Sequence, residues 1–337
     1  MAGARAVVTG GSGFIGRHLV RALLARGDEV TVFDREPGPP AHAATGGREP
    51  GPPVRTVTGD IRDRTRLAQA VGPGVDVVYH LAAEVGVDRY LARPLDVIDV
   101  NFQGTRNVLE RATEAGARVV VASTSEVFGK NPAVPWAEDA DRVLGSTAAD
   151  RWTYSSAKAM SEHLTLAFCR QHGLDAAIVR YFNAYGPGQR PAFVISRTVH
   201  RALNGQPLAL YDGGRQTRCF TYVADAVAGT LLVADRGGAG EVFNLGSMTE
   251  STVREAVTTV AALTGARTVE VDARAALGPA YEDVPRRVPD STKARRLLGW
   301  EATTSLAEGV ARTIEWARAN PWWLAAPDSG VPVAAAS

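Results

Sequence analysis

Tyr154 and Lys158, in Tyr-Ser-Ser-Ala-Lys, stand four residues apart in a stretch whose spacing predicts a helix from Trp152 to His172, so both side chains share one face. A phenol beside an ammonium can act as a base. Bringing a tyrosine from about 10 to near neutrality takes roughly 4–5 kcal/mol of differential stabilisation, which nearby positive charge can supply. Alone, the Tyr-x-x-x-Lys spacing is also common in purely structural helices. Thr124, Ser125 and Glu126 follow the apolar run Arg118 to Ser123, a predicted strand, and so fall at the carboxyl edge of a sheet, where open α/β folds bind ligands. Two hydroxyls and a carboxylate there can face a substrate, or can simply cap a turn.

A second constellation lies at the start of the chain. Gly10, Gly13 and Gly16 separate the apolar run Arg5 to Thr9 from a helical pattern over Phe14 to Arg26. Backbone amides of such a turn can approach a pyrophosphate while the helix N-terminus supplies partial positive charge. The spacing is Gly-x-x-Gly-x-x-Gly, and a tight connection would use the same residues. Asp34 closes the next predicted strand, Glu29 to Asp34, where a carboxylate can accept both ribose hydroxyls and repel a 2′-phosphate. That favours NAD over NADP, whereas Arg35 beside it could pair with such a phosphate, and Asp34 could instead be a turn residue. The oxidised nicotinamide adds positive charge near Tyr154.

The elements that must position these residues alternate. After β-turn-α-β come a strand at Val54 to Val57, a polar helix Arg64 to Val71, a strand Val75 to His80, a helix near Val97 to Ala115 and the strand Arg118 to Ser123. The Tyr154 helix then leads into a strand at Ala176 to Arg180. This predicts a Rossmann-type doubly wound parallel sheet over residues 1–180, with about 220–245 also belonging to it. A smaller mixed α/β substrate lobe is expected over 181–219 and 246–327, with helices near Val194 to Leu203, Val253 to Thr264 and Lys293 to Leu298. Residues 37–53 read as a long surface loop rich in Pro and Gly, and Asp328 to Ser337 as a flexible tail. There is no internal repeat.

At 337 residues, 45% hydrophobic and 22% charged, the chain can form a large core and is not a disordered segment. Thirty-seven basic residues against thirty-six acidic leave a formal charge of +1, which gives no reason to expect nucleic-acid or membrane-surface binding, so any anion must be held locally. No apolar run is long enough for a signal-peptide core or a membrane span. The only two cysteines, Cys169 and Cys219, match no metal-ligand spacing; two free thiols in a reducing compartment, the cytoplasm, are expected.

Taken together, Thr-Gly-Gly-Ser-Gly-Phe-Ile-Gly16, His80-Leu-Ala-Ala83, Ser-Thr-Ser-Glu-Val-Phe-Gly129, Tyr154-x-x-x-Lys158 and Phe182-Asn-Ala-Tyr-Gly-Pro187 resemble the extended short-chain dehydrogenases, the NAD-dependent epimerase/dehydratase family, over nearly the whole chain. Within it, Thr-Ser-Glu-Val and Asp283-Val-Pro-Arg-Arg-Val-Pro-Asp290 are most similar to UDP-glucuronate decarboxylases, the UDP-xylose synthases. The resemblance implies that Gly10, Gly13, Phe14, Ile15, Asp34, Asp60, Ile61, Leu81 and Lys158 line NAD, that Tyr154 is the base and that Thr124 orients the sugar. Asn183 and Arg218 would contact the nucleotide diphosphate, Arg287 the sugar or diphosphate, and no metal is implied. It also implies a homodimer through the helices near Val97 to Ala115 and Tyr154 to His172.

On this reading the sugar of a sugar nucleotide, a UDP-sugar for preference, is oxidised at C4; a ketone β to a C5 carboxylate then allows decarboxylation, with Ser125 and Glu126 placed for orientation or proton handling. A 4,6-dehydratase would use Glu126 to remove the C5 proton, and a 4-epimerase would leave it idle. Phe128 and Gly186-Pro-Gly-Gln-Arg-Pro191 depart from the decarboxylase pattern, and the latter also resembles 5,6-dehydratases, which carry Cys in place of Ser125. A non-catalytic NAD-binding sensor is the remaining alternative.

Overall fold

Valine-rich runs flanked by glycine turns form the centre of the molecule, seen in a computed structural model that describes residues 3–37, 54–272 and 284–328. The chain order begins β1 (Arg5–Thr9), α1 (Phe14–Arg26), β2 (Glu29–Asp34), β3 (Arg55–Thr58), α2 (Arg64–Leu67), β4 (Val77–His80), α3 (Val87–Ala92), α4 (Pro94–Asp99), α5 (Thr105–Ala115), β5 (Arg118–Thr124), α6 (Thr153–His172) and β6 (Ala176–Tyr181). It continues with β7 (Ala184–Tyr185), α7 (Val194–Leu203), β8 (Leu208–Tyr211), β9 (Thr217–Arg218), β10 (Thr221–Tyr222), α8 (Val223–Arg236), β11 (Val242–Leu245), β12 (Ser251–Thr252), α9 (Val253–Thr264), β13 (Thr268–Val271), β14 (Arg286–Arg287), α10 (Thr292–Leu298), α11 (Leu306–Arg318) and α12 (Pro321–Leu324).

Seven strands make one parallel sheet in the order β11-β6-β5-β4-β1-β2-β3. Side chains alternate across it, and each face needs a cover. Along β5, Val120 and Ala122 join the core containing Leu19 and Leu23 of α1 and Val227 and Val233 of α8. Val119 and Val121 join the opposite core, with Val108 and Leu109 of α5 and Phe168 of α6. Helices on both faces of a parallel sheet give the α/β Rossmann-type architecture, and the strand order reverses between β1 and β4, which opens a crevice at their carboxyl ends.

Smaller sheets follow: β10-β7, β13-β8 and the three-stranded β12-β9-β14. The first two, through β7, β8 and β10, pack with α7, α9 and α11 around a separate core that includes Tyr185, Val199, Leu210, Val257, Ile314 and Trp323. The sheet class therefore follows the alternation in the sequence, and the region after β6 is mixed.

Several elements differ from the sequence reading. The polar helix ends at Leu67 instead of Val71, because the amides of Ala70 and Val71 both converge on the Leu67 carbonyl in turns. The helix expected near Val97 to Ala115 begins at Pro94 and is interrupted by a π-helical turn, Val100–Gly104. Ile61 sits against that turn: a Cβ on Gly104 would lie 2.4 Å from its Cδ1. Asp328, expected in a flexible tail, accepts from Arg197 and Arg201 at 2.7 Å each, so the chain is tied down at that residue; 329–337 lie outside the described residues, as do 38–53 of the expected long loop. Cys169 and Cys219 are unbonded, and among the described residues no helix is long and apolar enough to cross a membrane and no His, Cys, Asp and Glu gather as a metal site.

Candidate active site

The glycine turn is shaped by its own backbone. Gly10 has φ 72°, and a Cβ there would stand 2.6 Å from the Ala82 amide nitrogen. A Cβ on Gly16 would stand 2.1 Å from the Gly10 carbonyl oxygen, so helix α1 can press against the turn only as glycine. Gly13 is the N-cap of α1 and offers no side-chain acceptor, which leaves the first-turn amides to an outside anion. Ser12 N–H donates to Asp34 at 3.0 Å and so ties the turn to the end of β2. The cradle fits the pyrophosphate of a dinucleotide, with Phe14 and Ile15 half-buried beside it on the sheet core.

The remaining residues assigned to the cofactor are spread along the same edge. Arg35 is turned to Glu84, paired at 2.6 Å, so that in this structure its guanidinium answers a carboxylate of the protein. Asp60 is held by Arg62 through both oxygens; burial works against its charge, but the Arg62 hydrogen bonds outweigh that and lower its pKa. Ile61 is buried beneath the π-helical turn, and Leu81 follows β4 with its N–H donating to Thr9 at 3.0 Å.

His80, fully buried between Thr9 (2.8 Å) and Thr105 (3.0 Å), was not given a role by the sequence reading. Burial, then the charge of Lys158, push its pKa down to about 3, so the ring is neutral and serves as a hydrogen-bonded strut between β4 and α5.

Tyr154 and Lys158 project from α6 into the crevice and both are buried. The phenol is raised well above the ordinary tyrosine value by burial and then by the charge of Glu126, opposed by a hydrogen bond with the Thr124 side chain. Burial lowers Lys158 to about 8, with Glu162 opposing. Glu162 itself is locked by Arg180 at 2.7 Å and is a structural partner. Thr124 ends β5; its hydroxyl also accepts from Glu126 N–H at 3.2 Å, opening a 3-10 turn, Ser125–Phe128, in which Ser125 is buried. Ser155 pins that turn to α6 by donating to the Glu126 carbonyl at 2.6 Å.

The Glu126 carboxylate lies between two guanidinia. Arg151 pairs with one oxygen at 2.7 Å and Arg287 with the other. Burial alone would raise its pKa, but Arg287 and then Arg151 override burial and hold it at about 2. Arg287 comes from β14, where it stands in register with Arg218 of β9, so both arginines enter from one small sheet. Arg218 Nη1 donates to the Thr217 carbonyl at 2.7 Å. Asn183, at φ 40°, has its side-chain Nδ2 buried with no hydrogen-bond partner, a donor available to a ligand.

The structure thus brings Thr124, Ser125, Glu126, Tyr154 and Lys158 to one end of the crevice and joins Glu126 to Arg287 across 161 residues of sequence. Sequence reasoning missed Arg151. A cation three residues before the candidate base, at the lip of its helix, was the available signal.

Fold and site define a dinucleotide-binding α/β enzyme with a buried Tyr/Lys pair facing a cationic pocket. Residues 6–246 match the NAD dependent epimerase/dehydratase family, and the chain belongs to it. A UDP-N-acetyl-alpha-D-glucosaminuronate decarboxylase of Bacillus cytotoxicus is 38% identical over 321 residues, spanning 93% of this chain and 98% of that one. DesIV, a dTDP-glucose 4,6-dehydratase from Streptomyces venezuelae solved with NAD, is 37% identical with a TM-score of 0.83 over 95% of this chain and 98% of its own. MoeE5, solved with UDP-glucuronic acid and NAD, is 34% identical with a TM-score of 0.79 over 94% and 99%. The protein is an NAD-dependent enzyme that modifies nucleotide sugars.

Proposed function

We propose that the enzyme decarboxylates a UDP-linked uronic acid, UDP-glucuronate or its 2-acetamido counterpart. One observation carries this reading: Glu126 is clamped by Arg151 and Arg287, with its pKa held at about 2. A carboxylate so weakly basic is poorly matched to removing a C5 proton, the step a dehydratase needs, whereas the guanidinia around it suit a sugar that carries its own carboxylate. Similarity to a uronate decarboxylase at 38% identity supports it.

NAD, when bound, accepts hydride from the sugar C4 and returns it. Tyr154 is assigned to take the 4-hydroxyl proton, with Thr124 hydrogen-bonded to the phenol; burial and Glu126 hold that phenol above its ordinary value, so the positive charge of bound NAD and of Lys158, one helical turn away, has to bring it down. The ketone so formed is β to the carboxylate: the C5–C6 bond breaks, its electron pair is drawn toward the C4 oxygen, and carbon dioxide leaves. Ser125 is assigned to orientation or proton handling at C5, and Glu126, kept ionised by its two arginines, to orientation. Gly10, Gly13, Phe14, Ile15, Asp34, Asp60, Ile61 and Leu81 are assigned to NAD, and Asn183 and Arg218 to the diphosphate, the orphaned Asn183 amide supporting the latter.

We assign 1–180 with about 220–245 to the cofactor lobe, supported by β11 pairing with β6, and 181–219 with 246–327 to the substrate lobe. Exposed Ile98 on α4 and Met160 on α6 support a homodimer through the helices near Val97 to Ala115 and Tyr154 to His172. The two unbonded thiols suit the cytoplasm.

Similarity to DesIV at 37% identity favours dehydration as a second reading. The test is incubation of the NAD-loaded protein with UDP-glucuronate, UDP-N-acetylglucosaminuronate, UDP-glucose and dTDP-glucose, followed by mass spectrometry. Loss of carbon dioxide from a uronate is expected. Loss of water from a neutral hexose, or an isomer of unchanged mass, replaces the reading with dehydratase or epimerase.

A further inference from the structure

Asp34 and Arg35 pull the choice of cofactor in opposite directions. A carboxylate at the end of β2 suits a ribose with two hydroxyls, whereas a guanidinium one residue on suits a 2′-phosphate. The structure shows where that guanidinium goes. Arg35 Nη2 donates to Glu84 Oε2 at 2.6 Å. The two residues follow β2 and β4, the strands on either side of β1, so the pair reaches across the carboxyl end of β1, where the glycine turn leaves the sheet. Glu84 is the fixed partner: it is buried, Arg89 Nε lies 3.4 Å from its other oxygen, and its backbone carbonyl accepts from the buried Asn101 side chain at 3.0 Å. Arg35 is half-exposed and comes to it. Asp60, the other carboxylate whose charge Arg35 feels, is taken up by Arg62 through both oxygens.

We propose that Glu84 is a specificity-determining residue for the cofactor: by holding Arg35 it keeps that guanidinium from a 2′-phosphate and so maintains the preference for NAD over NADP. The inference rests on the assignment of Asp34 to the adenosine ribose, which puts Arg35 beside the 2′-position. A phosphate there would have to draw Arg35 off a carboxylate that is anchored and cannot follow. It would also come to rest among the charges of Asp34 and Glu84. One ion pair lost and two repulsions gained both act against NADP, while the two hydroxyls of NAD meet neither. Discrimination of this kind works against the wrong ligand, and it accounts for an arginine standing next to Asp34 in an NAD-dependent enzyme.

The test is calorimetric titration of the full chain with NAD and with NADP, in wild type, Glu84→Gln, Arg35→Ser and the double variant. Glu84→Gln keeps the shape and removes the charge; it is expected to tighten NADP by about tenfold and to change NAD by less than about threefold. Adding Arg35→Ser is expected to remove the gain. In the wild-type background Arg35→Ser is expected to change NADP by less than about threefold, because the guanidinium is already engaged. That variant alters a half-exposed side chain and decides the matter if Glu84→Gln does not fold. Unchanged NADP affinity in Glu84→Gln, a gain that persists in full in the double variant, or a loss of about tenfold in NADP binding in Arg35→Ser alone overturns the inference. Asp34→Ala tests the ribose assignment separately. If the NAD to NADP ratio ignores Asp34 while Glu84→Gln still tightens NADP through Arg35, that assignment fails and the inference stands; if Asp34→Ala narrows the ratio and Glu84→Gln does nothing, only the inference fails.

Discussion

The two walls of the crevice are made of different material. The cofactor wall is backbone: a glycine turn with φ 72° at Gly10, a helix N-terminus without a side-chain cap, and the ends of parallel strands. The wall proposed for the sugar is side chains, chiefly Glu126, Arg151, Arg218 and Arg287, drawn from a 3-10 turn, the lip of α6 and a sheet of three short strands. Backbone sterics make the first wall rigid and intolerant of added atoms. Charge makes the second adjustable, since one side chain can change what it accepts without moving the chain. A family that keeps one cofactor and varies its sugar chemistry needs that division.

The comparison can be broken at several points. Tyr154→Phe removes the proposed proton acceptor and nothing from either wall, so turnover is expected to fall about a thousandfold or more while NAD binding persists; comparable loss of NAD would mean that the tyrosine shapes the cofactor wall. Gly16→Ala puts a Cβ against the Gly10 carbonyl, and a loss of about 4 kcal/mol in unfolding free energy, together with weakened NAD binding, is expected by denaturant titration. A variant as stable as wild type would show that the backbone wall yields.

Lys158→Met sharpens the contrast from the side of function. The folded value of about 8, against an ordinary 10.5, corresponds to roughly 3 kcal/mol at about 1.4 kcal/mol per pH unit. Below pH 8 the buried ammonium is charged in both folded and unfolded chains and its desolvation cost is fully present. Between 8 and 10.5 the unfolded chain binds more protons, so wild-type stability rises with pH. The methionine variant is therefore expected to be inactive yet more stable at pH 7, with the advantage closing toward pH 10.5. The smallest effect is expected at Asp34. Asp34→Ala should narrow the preference for NAD over NADP by about tenfold in binding, and an unchanged ratio would remove Asp34 from the ribose.

Much of the cofactor wall was legible because local rules write it. Gly10 and Gly16 had to be glycine; outside that wall, Val194–Leu203 and Val253–Thr264 match their predicted spans because each carries an apolar stripe and, for the second, a capping box between Thr252 and Glu255. The π-helical turn was not legible, and what packs against it, Ile61 over Gly104, comes from a different segment of the chain. The helices Val223–Arg236 and Leu306–Arg318 were not read, although Ser305 caps the second and Val310, Ile314 and Ala317 mark its buried face. On the sugar wall each arginine is visible in the sequence, but no spacing rule joins Arg151 or Arg287 to Glu126. Their meeting is a product of tertiary structure alone.

The Arg218–Arg287 register also bears on how such an enzyme could change its chemistry over generations. Alternate residues of a strand face opposite ways, so a one-codon deletion between Val284 and Arg287 that slid β14 along β9 would turn Arg287 to the other face of its sheet. The proposed sugar site would lose a cation while Tyr154, Lys158 and the glycine turn stayed as they are. A lineage could thus exchange one sugar for another by slippage in a two-residue strand, a smaller genetic event than rebuilding a loop.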